Sequence, residues 1–409
     1  MNGAPESEGH GTIQKDCAVV SMPADCASRV AILKLTLTNF RCYGRATLKS
    51  DHRSVVLTGP NGAGKTNLLE AISLLTPGRG LRRAKLEDIG RRSEKRETAK
   101  AGWGVLASVG TAVGPVEIGT GQEASNQRRR KVRIDTSDVS NQNALADYVS
   151  AVWLTPQMDR LFLEGASARR RFFDRLAYGF DPAHAGRISA YNHAMRERMR
   201  LLRDGTGDDV WIRTLEQTMA ERGIAIAAAR RELAARLDKA SVSTPGPFPV
   251  ATVASAGLLE CWLDKMPALD VEQRFVELLK SNRRHDGELG QTSAGPHRSD
   301  FSVYHAEKNL PADQCSTGEQ KALLIAIILA DTRLQAKERN RTPLLLLDEV
   351  AAHLDEKRRR ALFDEICMMG AQAWLTGTDI SLFEPLGDSA QYIAVSDASL
   401  TETPNAFAA

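Results

Sequence analysis

Apolar and polar positions alternate in three different rhythms along this chain, and each predicts a different kind of element. From Val30 the apolar residues Ile32, Leu33, Leu35 and Leu37 predict a strand that opens the fold. A turn at Asn39-Phe40-Arg41-Cys42-Tyr43-Gly44 leads through Ala46 and Leu48 to a short apolar run, Val55-Val56-Leu57. Glycine-punctuated segments over Gly102–Val116 and Lys131–Asp135 predict short strands of an antiparallel sheet. From Ala183 to about Ala240 the spacing changes to 3.6 residues. Ile188, Tyr191, Met195 and Leu201 mark one helix, and a turn at Gly205–Gly207 separates it from a second. That second helix carries Trp211, Leu215, Met219, Ile226, Leu233 and Leu237, so the pair predicts an amphipathic helical hairpin. Its apolar stripe reads as core packing, and it is too short for a coiled-coil arm. Pro245-Gly246-Pro247 breaks the helix. A strand at Val250–Val253, a helix over about 270–283 and a polar loop at Ser281–Ser293 follow. A buried-strand run, Leu344–Leu347, comes late in the chain.

Composition changes this picture little. The chain has 409 residues, 42% hydrophobic and 26% charged, which suits a soluble globular protein of two or three domains. A net charge of +3 leaves no global field that demands nucleic acid, so a basic surface has to be local. The six cysteines, at 17, 26, 42, 261, 315 and 367, form no Cys-x-x-Cys pair. That argues against a zinc site or a disulfide framework and for a reducing, cytoplasmic setting. No apolar run reaches the ~20 residues of a membrane span, and no secretory pattern opens the sequence. Residues 1–29 read as a flexible extension, with Met22 as an alternative start.

The chemistry starts at Gly59-Pro60-Asn61-Gly62-Ala63-Gly64-Lys65-Thr66, between the apolar run and a helix-like stretch beginning at Asn67. Strand, glycine-rich turn and helix in that order form a P-loop: backbone N–H groups and a helix N-terminus converge on one anion. Lys65 reaches the outer phosphates and Thr66 offers its hydroxyl to Mg²⁺, so the motif points to a bound nucleoside triphosphate. More than two hundred residues later, Leu344–Leu347 ends in Asp348-Glu349, a Walker B pattern. Asp348 suits the Mg²⁺ shell and Glu349 suits a general base for the attacking water. Between the two motifs, Cys315-Ser316-Thr317-Gly318-Glu319 opens an apolar helix over Ala322–Ala330, a second anion-binding terminus. One triphosphate could therefore be gripped by the P-loop of one subunit and this terminus of another. The run Arg128-Arg129-Arg130-Lys131 invites a DNA-binding reading, but charge runs are usually solvated faces and this one enters a strand.

These motifs together resemble the ABC-type ATPase heads of SMC-like repair proteins, and most closely the RecF family of bacterial recombination mediators. The resemblance extends to Leu35–Arg41, to Val152–Asp159 with Gly165 and Arg169–Asp174, to Gly295–Asp300, to Ser316–Leu324 and to Thr376-Gly377-Thr378. It covers about residues 30–380. It implies an α/β fold in which an ABC-type head combines a mixed sheet with an antiparallel β subdomain, beside a helical second lobe. The divisions expected are an extension (1–29), the first part of the head (30–145), the helical lobe (146–294), the second part of the head (295–385) and a tail (386–409). The resemblance further implies ATP and Mg²⁺ on Gly59–Thr66 and Asn67, with Arg41 near the nucleotide and Gln157 sensing the metal and the water. It implies Ser316 and Gly318 on the γ-phosphate across an ATP-dependent homodimer, with Asp355 at the same interface. Other ABC ATPases often carry a switch histidine where Thr376–Thr378 falls, so slow, DNA-stimulated hydrolysis is expected. The partners implied are single-stranded DNA and its junctions with duplex, and RecR and RecO in loading RecA, with a part in SOS induction. Arg79, Arg82, Arg83 and Arg128–Lys131 are the candidate DNA contacts. An SMC-like tether needs more reach than this chain offers, and a membrane-transporter ATPase would place the signature nearer the P-loop.

Overall fold

Leu344–Leu347 is buried at every position, as a parallel strand covered on both faces must be. It lies in a six-stranded sheet ordered Ser399–Thr403, Ala390–Ser396, Ser54–Thr58, Ala373–Gly377, Leu344–Leu347 and Ala151–Leu154. All neighbours are parallel except the edge pair formed by the last two strands of the chain. The computed structural model describes residues 29–91, 102–124, 129–205, 208–242, 246–404 and 407. Residues 1–28 of the proposed extension, 1–29, lie outside them, as do Arg128, Gly207 and Pro245.

A second six-stranded sheet is wholly antiparallel, in the order Tyr43–Lys49, Ala31–Phe40, Trp103–Thr111, Gly114–Gln122, Lys131–Ile134 and Ser137–Val139. Ile32, Leu35, Leu37 and Phe40 turn one face of it to a core shared with the P-loop helix Lys65–Ser73. The other face of the parallel sheet packs on the helix Thr317–Arg339, whose Ala322–Ala330 segment is buried throughout. Mixed sheet, antiparallel subdomain and helical lobe are those of an ABC-type ATPase head.

The helical lobe is built from Ala166–Phe180, His184–Asp204, Asp209–Val242 and Ala268–Ser281. Three of the expectations are corrected here. Within the proposed tail, 386–409, the described residues 390–403 are part of the head: Ala390–Ser396 pairs in parallel with the P-loop strand, which satisfies the backbone of both. Tyr392, Ile393 and Val395 are buried there. The head does not stop at 145 either, because Ala151–Leu154 completes the parallel sheet beside Leu344–Leu347. The polar loop after Ser281 contains a helix, Arg283–Leu289, held through Asp286.

The lobe is pinned by a buried charge network rather than by apolar contacts alone. The Arg198 guanidinium is fully buried and donates to Glu216 at 2.9 Å, to Asp286 at 2.7 Å and to the Leu279 carbonyl at 2.6 Å. Removing one partner of such a network leaves charges buried without compensation. Arg198→Leu is therefore expected to destabilise the lobe by about 3 kcal/mol, read as a lower urea midpoint of helical circular dichroism. An unchanged midpoint would contradict this role.

Candidate functional site

The P-loop is shaped by what stands behind it. Gly59 has φ +150°, and a Cβ there would come within 2.1 Å of the Val395 carbonyl oxygen. Gly64 has φ +114°, and its Cβ would meet the Tyr43 hydroxyl at 2.6 Å. That hydroxyl instead donates to the Gly64 carbonyl at 3.1 Å, while Ala398 N–H donates to the Ala63 carbonyl at 3.3 Å. Only glycine fits both positions, and the loop is clamped between the opening strands and the C-terminal hairpin.

Lys65 is buried, and its ammonium donates to the carbonyls of Gly59 at 2.7 Å and Pro60 at 3.1 Å. It also lies 3.5 Å from Glu349. The next residue connects the two halves of the site. Thr66 Oγ1 donates to Asp348, 2.9 Å from Oδ1 and 3.1 Å from Oδ2. Residues 282 apart in sequence thus meet at one hydrogen bond, which fits the hydroxyl–carboxylate pair that a Mg²⁺ site requires.

Thr376 closes the arrangement. Its hydroxyl donates to Asp348 Oδ1 at 2.8 Å and accepts the Glu349 backbone N–H at 2.8 Å. The sequence had suggested this position only as the place of a missing histidine. The structure makes it the brace between the two acids. Glu349 holds φ +54°, a backbone region costly for a residue with a Cβ and concentrated at functional sites. Its side chain remains one-quarter exposed and so accessible to water.

Other candidates stand further off. Arg41 grips Glu70 of the P-loop helix through two nitrogens, at 2.8 and 2.5 Å, and donates to the Asp88 carbonyl. It anchors the helix whose Asn67 amide donates to Cys42 Sγ at 3.1 Å. Gln157 lies on the short turn Pro156–Arg160, exposed, without a hydrogen bond to Thr66 or Asp348. Ser316 caps the helix Thr317–Arg339 in a reciprocal box with Glu319. Lys308 and the cap hold the Glu319 carboxyl down at about 2, so the cap stays ionised. Both Ser316 and Gly318 are exposed, and the Ser316 hydroxyl is used only within its own cap. Asp355 caps Glu356–Met369 by accepting from Arg358 N–H, with its side chain more than half exposed.

The basic run does not act as a unit. Arg130 is turned inward, donating to Thr120 at 2.7 Å, to the Gly78 carbonyl at 2.6 Å and to the Leu74 carbonyl. Burial lowers it to about 10. Its place among the candidate DNA contacts is corrected: it ties the antiparallel sheet to the loop after the P-loop helix. Arg129 and Lys131 are exposed, the latter paired with Glu123, and Arg82 is tied to Asn67 and Glu70.

The RecF/RecN/SMC N terminal domain family matches residues 31–386. The DNA replication and repair protein RecF of Rhizobium rhizogenes is 46% identical over 378 residues, 92% of this chain and 99% of that protein. The chain belongs to the RecF family. Its relative in a Caulobacter species is 49% identical over 389 residues, covering 91% of this chain and 98% of the relative. The fold is similar to that of a recombination mediator protein RecF-ATPrS in the RecFOR pathway. There the TM-score is 0.79 at 19% identity, over 92% of this chain and 99% of that one. Among the described residues no helix is long and apolar enough to cross a membrane.

Thr376→Val keeps the shape of this brace and removes its polar functions. Nucleotide affinity is expected to stay within about threefold, while hydrolysis falls about 10²-fold, because the Glu349 N–H loses its acceptor. Equilibrium binding and steady-state phosphate release separate the two. Hydrolysis at the wild-type rate would contradict the brace.

Proposed function

We propose that this chain is an ATP-dependent DNA-binding protein of recombinational repair. ATP joins two copies into a clamp on single-stranded or gapped DNA, and slow hydrolysis releases it. The observation that carries the reading is the link Thr66–Asp348–Thr376–Glu349, which fuses P-loop and Walker B into one half-site. The phosphate-gripping terminus at Ser316 meanwhile stands exposed elsewhere on the same chain. Family membership and the RecF-ATPrS fold likeness support it.

In this reading the P-loop N–H groups receive the β- and γ-phosphates, and Lys65 exchanges the carbonyls of Gly59 and Pro60 for phosphate oxygens. Thr66 and Asp348 would hold Mg²⁺, which neutralises phosphate charge when bound, with Gln157 approaching as the lobes close. Glu349 takes a proton from water as its oxygen bonds to the γ-phosphorus and the bond to the β-phosphate oxygen breaks, giving ADP and phosphate. The partner copy supplies Ser316 and Gly318 to the γ-phosphate, and Asp355 lies at the same face. Arg79, Arg82, Arg83, Arg129 and Lys131 are the proposed DNA contacts; phosphate contacts of this kind are salt-dependent and carry no sequence preference. RecR and RecO are the proposed partners in loading RecA, in a cytoplasmic setting and with a part in SOS induction. DNA stimulates the hydrolysis.

A purely structural SMC-like tether fits less well. Asp209–Val242 has buried residues from Ile212 to Ser241 along its whole length, so it is packed into the lobe and does not project as an arm.

Glu349→Gln is expected to bind ATP normally and to lengthen the life of the ATP-linked dimer on gapped DNA at least tenfold. Sedimentation with ATP and DNA reads this directly. Wild-type hydrolysis in that variant would remove Glu349 from its role. A protein that stayed monomeric with ATP and DNA would remove the clamp.

A further inference from the structure

A cavity of about 620 Å³ opens between the head and the helical lobe; none of Gly59–Thr66 lines it, and Gln157 contributes to its wall. The loop Thr76–Arg83, the end of the strand Ala151–Leu154 and the helices Ala166–Phe180 and His184–Asp204 contribute to its wall. Six arginines face it against two carboxylates, Glu164 and Asp174. Asp174 is already consumed by a two-pronged pair with Arg230, at 2.7 and 2.8 Å, and by His184.

The other five arginines, Arg79, Arg83, Arg170, Arg171 and Arg175, make no ion pair among the described residues. Arg170 and Arg171 donate only to the Ser299 carbonyl and to Ser167. Arg175 is half-buried and stacked 4.0 Å over the Trp153 ring; it donates to the Trp153 carbonyl at 3.3 Å, and its Nε–H is unpartnered. Burial holds it down at about 9. Arg79 and Arg83 come from the loop and Arg171 from a helix. Burial first, then the nearness of Arg171 and Arg79, makes Arg83 give up its proton more readily. Arg83 itself sits at φ +55°.

Like charges gathered from separate elements repel, and the carboxyl beside the Arg175 guanidinium, Asp331, is pushed up to about 8 by burial and so offers it little counter-charge. An anion in the space between the arginines relieves both. Guanidinium groups match phosphate oxygens in pairs, and the volume lies in the range of small-ligand sites, about 300–1,000 Å³. Tyr178, which lines the same space, carries a neutral hydroxyl donor.

We propose that this interlobe cavity is a second anion site, separate from the P-loop, that binds a phosphate-bearing ligand through Arg83, Arg171 and Arg175. The phosphate belongs either to a free phosphorylated small molecule or to the end of a nucleic-acid strand. The site does not depend on the ATP reading, and its ligand bridges head and lobe.

The test titrates inorganic pyrophosphate into the full chain with the P-loop filled by excess ADP. It compares wild type with Arg83→Gln/Arg171→Gln, whose folding is checked by thermal melting. A saturable site weakened at least tenfold in the variant is expected. A second arm compares single-stranded oligonucleotides ending in a 5′-phosphate or a 5′-hydroxyl. A preference for the phosphate that disappears in the variant assigns the ligand to a strand end. Equal binding of the two oligonucleotides, with pyrophosphate binding retained, assigns it to a free phosphorylated molecule. Absence of pyrophosphate binding beyond the P-loop, or equal binding in a folded variant, overturns the proposal. Because ADP occupancy is read separately, failure here leaves the ATP reading untouched. If ADP failed to bind while the variant still weakened pyrophosphate, the cavity would stand alone.

Discussion

The carboxylate of Asp348 is the point on which the site depends. It accepts Thr66 from the P-loop helix and Thr376 from the neighbouring strand, and Thr376 in turn holds the backbone of Glu349. Three elements distant in sequence are registered to each other by hydrogen bonds of 2.8–2.9 Å. A buried carboxylate is tolerable only when such donors surround it, so the fold and the site impose the same requirement. The parallel sheet delivers it: Ser54–Thr58, Ala373–Gly377 and Leu344–Leu347 are adjacent strands, and their C-terminal ends open on one edge. Ligands of open α/β sheets bind at that edge.

Much of this was legible in the residues. The P-loop, Walker B and signature each carry a fixed residue order because a phosphate imposes it, and the four leucines before Asp348 announce a doubly covered strand. The C-terminal hairpin was not read, although Tyr392, Ile393 and Val395 carry a strand-like pattern, because no chemistry marks it. Its contribution is backbone: the Val395 carbonyl presses on Gly59, and the Ala398 N–H binds the loop. Arg130 shows the opposite failure. Four consecutive basic residues look like a surface, yet one of them turns inward to cap carbonyls at 74 and 78, which only the tertiary arrangement reveals.

The same division supports the proposal that the site is completed by a second copy. Lys65 is tied to its own loop carbonyls, and Ser316 spends its hydroxyl on its own helix. In the proposed clamp each is half of a phosphate grip whose complement lies on the partner copy. In that proposal slow hydrolysis follows because turnover must wait for two copies to close.

Mixing two inactive variants tests the composite pocket most directly. Lys65→Ala disables the P-loop and Ser316→Arg disables the signature, so neither alone should dimerise with ATP or hydrolyse it. In the mixture every productive pair carries one intact pocket, and activity per chain is expected to rise toward about half of wild type. A mixture as inactive as its components, with each variant folded, would contradict a pocket shared between two copies.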